Sequence, residues 1–340
     1  MNKYVEYKLN NGKIQEIDYL KGFSISTIVL MHLLSFIEKL PSKIVTLSAI
    51  GGSGVHVFFL CSGIGLYLSY LNKKVSFMEF IKKRLIKIYI PYIFIVFISY
   101  LIPYMYTGNN RFEAFLSHVF MYKMFMPEFE ESFGVQFWFV STILQLYILF
   151  IPMCKVKEKI NNNKIFLTIF ALLSIMWWNI CYLLNVADIR VWNSFCLQYI
   201  WEFAMGIIIA DYLNNGKIIK TNRLRLLCIA LVGICLQAGM AMFSDMLKLF
   251  NDIPALLGYG ALALLLMNIK LVKSICEKIS KFSYELFLVH ILVFKTVFKF
   301  VDFSGFIEQS AVGVVAFIIA IICAYIYSKL IKRVNSSIHK

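Results

Sequence analysis

Long polar stretches are missing from this chain. Only 16% of its 340 residues are charged and 60% are hydrophobic, whereas a soluble domain averages about 25% charged and about 45–50% apolar. Mean hydropathy is +0.74. No block is polar enough to form a separate soluble domain, so residues 1–340 read as one polytopic membrane domain, an all-α helical bundle. The six prolines form no rich linker, nor do glycine and serine, and no internal repeat recurs. The eight cysteines (61, 154, 181, 196, 228, 235, 276 and 323) make no C-x-x-C pair. That lack argues against zinc and redox sites and leaves them as small buried apolar residues, with no metal expected. No A-x-A-like cleavage site follows the first apolar run, which reads as a retained helix and not a signal peptide.

What is abundant is apolar sequence in runs of membrane length. Ten runs qualify, at about 22–38, 53–72, 88–107, 134–153, 165–185, 194–213, 226–244, 254–269, 282–300 and 311–330. Most of the 34 lysines and arginines fall in the connections that share a side with both termini. Glu113, Glu128, Glu130, Glu131, Asp188, Asp245, Asp252, Asp302 and Glu308 fall on the other side. The positive-inside rule therefore puts both termini in the cytoplasm. It also accounts for the net charge of +15 without a nucleic-acid partner. The longest external connection, about 108–133, is aromatic-rich and acidic, and reads as an interfacial helix or part of a substrate cleft.

The stretch Ile17–Ser35 organises the rest. Lys21 closes a polar tail, and His32 follows inside an apolar run, roughly 16 Å further along a helix. That distance places Lys21 at one membrane face and His32 near mid-depth. An imidazole can lose or accept a proton near neutral pH, and ionisable groups inside a membrane are candidates for function. By the same reasoning His56, Glu202 and His290 stand out, each open to a packing role as well. Lys82, Lys83, Arg84 and Lys87 make a basic cluster at the cytoplasmic face. It suits either anionic lipid headgroups or the phosphates of a cofactor. Ser141 and Gln145, four apart, share a helix face and suit either helix packing or hydrogen bonds to a sugar. His118 and His339 read as loop and tail residues.

Six short motifs, in order over residues 17–290, resemble the integral-membrane acyltransferase-3 family. They comprise Ile17, Asp18, Leu20, Lys21, Gly22 and His32; then Gly54, Val55, Phe58, Phe59, Ser62 and Gly63. The basic hallmark follows with Phe80, Lys83, Arg84, Lys87, Ile88, Pro91 and Tyr92. After it come Trp138, Ser141, Gln145 and Tyr147; Glu202, Phe203 and Gly206; and finally Ser283, Tyr284, Leu288 and His290. Four positions depart from the family pattern, one of them Phe287, which replaces a second tyrosine in the last motif. Lys21 stands for an arginine and cannot make its bidentate fork, His56 stands where many members carry aspartate, and Ile143 where many carry glutamate.

The resemblance implies an enzyme, a membrane O-acyltransferase of a bacterial inner or plasma membrane. It would move an acyl group, most often acetyl from acetyl-CoA, to a hydroxyl of a cell-surface or lipid-linked glycan. His32 would be the general base or transient acyl carrier. The donor would dock on Lys21, Lys82, Lys83, Arg84, Lys87 and Tyr92. The acceptor would meet His56, Trp138, Ser141, Gln145, Tyr147, Glu202 and His290. The rival from another class is a proton-coupled transporter or flippase of a glycan or lipid precursor, although no inverted symmetry is visible. A non-catalytic membrane scaffold is the third reading. The acyl group, the acceptor sugar and the oligomeric state are not readable from the sequence.

Overall fold

The computed structural model of the chain describes all residues except 1–3, 11, 13, 39, 245, 302–304 and 339–340. Lys3, Lys13, Lys39, Asp245, Asp302 and Lys340, which entered the charge balance, and the tail residue His339 lie outside the described residues.

The helices of eight residues or more are α1 (Gln15–Leu34), α2 (Gly54–Asn72), α3 (Phe77–Arg84), α4 (Ile90–Leu101), α5 (Arg111–Val119), α6 (Trp138–Ile160), α7 (Asn163–Leu183), α8 (Cys196–Asn214), α9 (Arg223–Phe243), α10 (Asp252–Leu266), α11 (Lys270–Ser280), α12 (Ser283–Phe300) and α13 (Phe306–Ile338). Each of the ten apolar runs expected from sequence is largely helical. Among the described residues, eight helices are long and apolar enough to cross a membrane. The number becomes nine if α10 and α11, bent by 116°, count as one span. The remaining run, α12, carries Glu285, Lys295 and Lys299 within its 18 residues, more charge than hydrocarbon tolerates unless side chains or neighbours neutralise it.

Local chemistry explains several helix ends. Asn162 accepts from the backbone amides of Lys164 and Ile165 to start α7, and Asn222 accepts from that of Arg225 to start α9. Both are side-chain N-caps. Between α3 and α4 the chain widens into one π-helical turn, Leu85–Tyr89, just before Pro91. Proline has no amide to continue the ladder, and Tyr284 and Tyr327 donate to the carbonyls of Ile88 (2.7 Å) and Pro91 (2.8 Å).

One small sheet breaks the all-α pattern. Tyr4–Tyr7 (β1) pairs antiparallel with Ile219–Asn222 (β2), and Lys220 reaches Glu6 at 2.8 Å. The polar tail before α1 is thus partly a strand, which four residues paired more than 200 positions away could not announce locally.

The chain forms two compact units. The first holds Met1–Ser24, Ser53–Lys82 and Thr142–Ser280; the second holds Ile25–Gly52, Lys83–Ser141 and Lys281–Lys340. In the first, α2 packs on α8, α8 on α7, and α9 on α10. The α2–α8 crossing is close because Gly63 and Gly206 face each other. A Cβ on Gly63 would overlap the Phe203 carbonyl, and one on Gly206 the Leu60 carbonyl, the small-residue contact that lets membrane helices approach. Lys157 of α6 pairs with Asp211 of α8 at 3.3 Å.

In the second unit α12 packs along α13, and Arg111 closes the end of α4. Its guanidinium donates to the carbonyls of Ser99 (3.2 Å), Tyr100 (2.9 Å), Pro103 (2.7 Å) and Tyr106 (2.8 Å), at the end of the helix and in the turn after it. Replacing Arg111 with alanine should lower stability by about 3 kcal/mol, since each charge-assisted bond contributes roughly 1.5–3 kcal/mol. A thermal melt of purified protein in detergent checks this. Arg111→Lys should recover only part of the loss, because an ammonium lacks the planar fork.

Candidate functional site

In the second unit the structure brings two of the sequence candidates together. His32 Nδ1 lies 2.8 Å from His290 Nε2, and the two rings are nearly parallel, 8° apart with centroids at 5.1 Å. His290 is fully buried, and its Nδ1 sits 3.1 Å from the Leu286 carbonyl. A carbonyl can only accept, so His290 Nδ1 carries a hydrogen and, in the neutral ring, Nε2 carries a lone pair. That lone pair accepts the Nδ1 hydrogen of His32. The Nε2 of His32 is therefore the atom that carries the basic lone pair. A fixed second ring orienting the first is the arrangement of a general base with its positioning partner. The sequence placed His32 near the middle of a span. Here α1 starts seven residues earlier than expected and ends at Leu34, so His32 stands in its last turn, where Ser35 Oγ donates to the His32 carbonyl at 2.6 Å.

A cavity of about 420 Å³ opens in the same unit, lined by Tyr104, Tyr106, Glu128, Glu130, Glu131, Ser132 and Lys295. Lys295 lies five positions after His290 on α12, a rise of roughly 7.5 Å. Lys295 Nζ approaches the Met105 carbonyl at 3.5 Å, and Tyr104 donates to Thr296 Oγ1 at 3.1 Å, which ties the loop to α12. The acidic connection, expected as an interfacial helix or part of a substrate cleft, contains the helix α5 and places Glu128, Glu130 and Glu131 along the cavity.

Beneath this cavity lies a chain of hydrogen bonds that sequence reasoning missed. His118, read as a loop residue, closes α5 and is fully buried. Ser132 Oγ donates to the Phe129 carbonyl (2.6 Å) and accepts from His118 Nε2 (2.8 Å), while His118 Nδ1 accepts from the Tyr92 hydroxyl (2.6 Å). Tyr92, expected to face a cofactor, is fully buried with its hydroxyl engaged there. The missed signal was the aromatic density around His118, which predicts burial. Burial first, and the Lys123 ammonium second, hold the His118 imidazole well below its ordinary pKa. Such a group binds no proton in the fold but takes one on unfolding once pH drops below about 6.5. The stability contributed by keeping it neutral is complete above that pH and declines as pH falls through it. The melting temperature should drop between about pH 7 and about pH 5, and the drop should be shallower in His118→Asn, with slope and not midpoint as the readout.

The first unit gathers a second polar cluster. His56, near the start of α2, presents Nδ1 to Glu202 Oε1 of α8 at 2.7 Å and Nε2 to Asp252 Oδ1 of α10 at 3.9 Å. Gln198, one turn before Glu202, donates to Asp252 Oδ2 (2.8 Å) and to the Leu249 carbonyl (2.9 Å). Glu202 is fully buried and Asp252 nearly so. Asp252 was counted as a loop charge, since it stands at the very start of its helix. The Gly63–Gly206 contact lies two turns beyond His56 and one turn beyond Glu202, so it sets the depth at which they meet.

The other expected residues lie as follows. Lys82, Lys83 and Lys87 are exposed, and Lys21 and Arg84 half-buried. Trp138 is half-buried, and Ser141 is buried. Gln145 accepts from the Cys196 amide at 3.1 Å, capping the start of α8, and Tyr147 meets Phe80 edge-on at 6.2 Å.

Neither a curated protein nor a solved structure matches the chain. The acyltransferase domain family matches residues 14–329, both histidines of the pair included. On that match, and with a bundle of apolar helices around an oriented imidazole, the chain belongs to the integral-membrane acyltransferase-3 family and is an acyltransferase that transfers groups other than aminoacyl groups.

Proposed function

We propose that the protein is an O-acyltransferase of the bacterial cell membrane that uses cytoplasmic acyl-CoA, acetyl-CoA foremost, to acylate a hydroxyl of a surface or lipid-linked glycan. The observation that carries this reading is the His32–His290 pair. His32 Nε2 removes the proton of the acceptor hydroxyl as its oxygen attacks the thioester carbonyl. The C–S bond breaks, and the departing thiolate takes that proton to leave as free CoA. His290 holds the His32 ring in the productive tautomer. Atoms balance as thioester plus alcohol giving ester plus thiol.

The donor's phosphates are drawn to the basic residues Lys21, Lys82, Lys83, Arg84 and Lys87, exposed lysines being suited to phosphate as point charges. The acceptor enters by the 420 Å³ cavity, whose tyrosines and carboxylates suit the faces and hydroxyls of a sugar. Trp138, Ser141, Gln145, Tyr147, Glu202 and His56 remain proposed acceptor contacts from the family resemblance. Purified protein in proteoliposomes, given labelled acetyl-CoA on one side and oligosaccharide on the other, tests the reading. Label should appear as ester on the glycan. Free passage of intact glycan without label would support a flippase instead. Lys83→Ala with Lys87→Ala should raise the KM for acyl-CoA about thirtyfold at low salt, since two phosphate contacts at roughly 1 kcal/mol each are lost. The difference should shrink at high salt, with kcat little changed.

A further inference from the structure

Three helices of the first unit deliver one imidazole and two carboxylates to one place. Ligand atoms of His56, Glu202 and Asp252 all lie within 4.8 Å of one another. We propose that this cluster is a binding site for one divalent first-row cation, of the Zn²⁺ or Mn²⁺ class, held chiefly by His56 Nε2 and a carboxylate oxygen of Asp252.

Charge is the first argument. Glu202 accepts from His56 Nδ1, so in the neutral ring Nε2 carries the lone pair and the two carboxylates leave a charge of −2. Glu202 is wholly inaccessible and Asp252 5% exposed, and an uncompensated pair of charges in such a place is strongly disfavoured. One divalent cation brings the cluster to neutrality.

Geometry is the second. Metal-bound histidines commonly donate their other ring hydrogen to a carboxylate, which fixes tautomer and ring plane, and Glu202 does this at 2.7 Å. The lone pair of Nε2 then faces Asp252 Oδ1 across 3.9 Å. That gap is too long for a hydrogen bond, but an ion with bonds of about 2.0–2.2 Å to N and O spans it. Gln198 holds the other oxygen of Asp252 at 2.8 Å, so the carboxylate is positioned before any ion arrives.

Orphaned acceptors are the third. Glu202 Oε2 and Gln198 Oε1 are buried oxygens without a hydrogen-bond partner among the described residues. Buried acceptors are nearly always satisfied, and an ion with its bound water supplies what they lack. An imidazole with carboxylates suits zinc, iron or manganese better than soft-ligand metals. His56 is 12% exposed at its side chain, which leaves the ion a route in.

The test uses the full-length protein in detergent, stripped with chelator and then dialysed against Zn²⁺ or Mn²⁺, with metal counted by mass spectrometry. About one ion per chain is expected for the wild type, with at least tenfold weaker binding in His56→Asn and in Asp252→Asn, the latter nearly isosteric. Co²⁺ loaded into unaltered protein should give visible absorption bands of a nitrogen- and oxygen-ligated ion, which needs no variant to fold. Substoichiometric metal in the wild type would overturn the proposal, and equal uptake by wild type and Asp252→Asn would do so too. A featureless Co²⁺ spectrum, with a melting temperature that responds to pH but not to metal, would mean that protons balance the cluster instead. Because the readouts are metal content and spectrum, the result stands apart from that of the acyl-transfer assay.

Discussion

His32→Ala should transfer acyl groups about 10²–10⁴-fold more slowly than the wild type, the range expected when a general base is removed. Donor affinity and melting temperature should change little, because His32 sits half-buried in the last turn of α1. His290→Ala should be slowed as well, by less, through loss of the ring that fixes the His32 tautomer. The double variant should be scarcely worse than His32→Ala alone, since the two act as one unit and their effects do not add. His290→Gln, which retains polar side-chain atoms, is expected to recover part of the rate. Initial rates with saturating acyl-CoA and glycan measure all four.

Gly206→Leu should abolish the folded first unit. The Cβ alone would overlap the Leu60 carbonyl, and its other close neighbours are the Ile64 amide nitrogen at 2.9 Å and the Gly63 Cα at 3.1 Å. These are backbone atoms that cannot rotate away, unlike the tip of a flexible side chain. Overpacking of this kind costs about 3 kcal/mol or more. The crossing would spread one turn from Glu202, separating it from His56. Gly65→Ala on the same helix is the control, as nothing lies within 4 Å of its added carbon. Size-exclusion profiles and melts should show Gly206→Leu aggregated, with Gly65→Ala at or slightly above the wild-type melting temperature.

Much of the fold was legible because hydrocarbon imposes a length on every span. The runs around Phe58, Leu146 and Ile207 could be read as helices without knowing their partners. Even α12, with three charges, declared itself as an apolar run of membrane length. The β1–β2 pair was invisible, because a four-residue strand takes its stability from a partner far along the chain. The π turn at Leu85–Tyr89 was likewise unannounced, although Pro91 marked the place.

In the sites, sequence found the ionisable residues singly and missed their pairings. His32 and His290 are 258 positions apart, and no local pattern says that their rings meet. Asp252 looked like one of several outer-face acids until α8 and α10 brought it to His56. His118 failed for a different reason. A histidine in a connection was assumed to be wet, while Phe133 and Phe137 enclose it.

The central claim is that the Nε2 of His32 performs the proton transfer. Single-turnover kinetics with a labelled acyl donor in proteoliposomes, following thioester cleavage and glycan ester formation separately, test it most directly in the wild type and His32→Gln. Both steps should stall together in the variant while donor binding persists. Cleavage and ester formation at the wild-type rate in His32→Gln would contradict it.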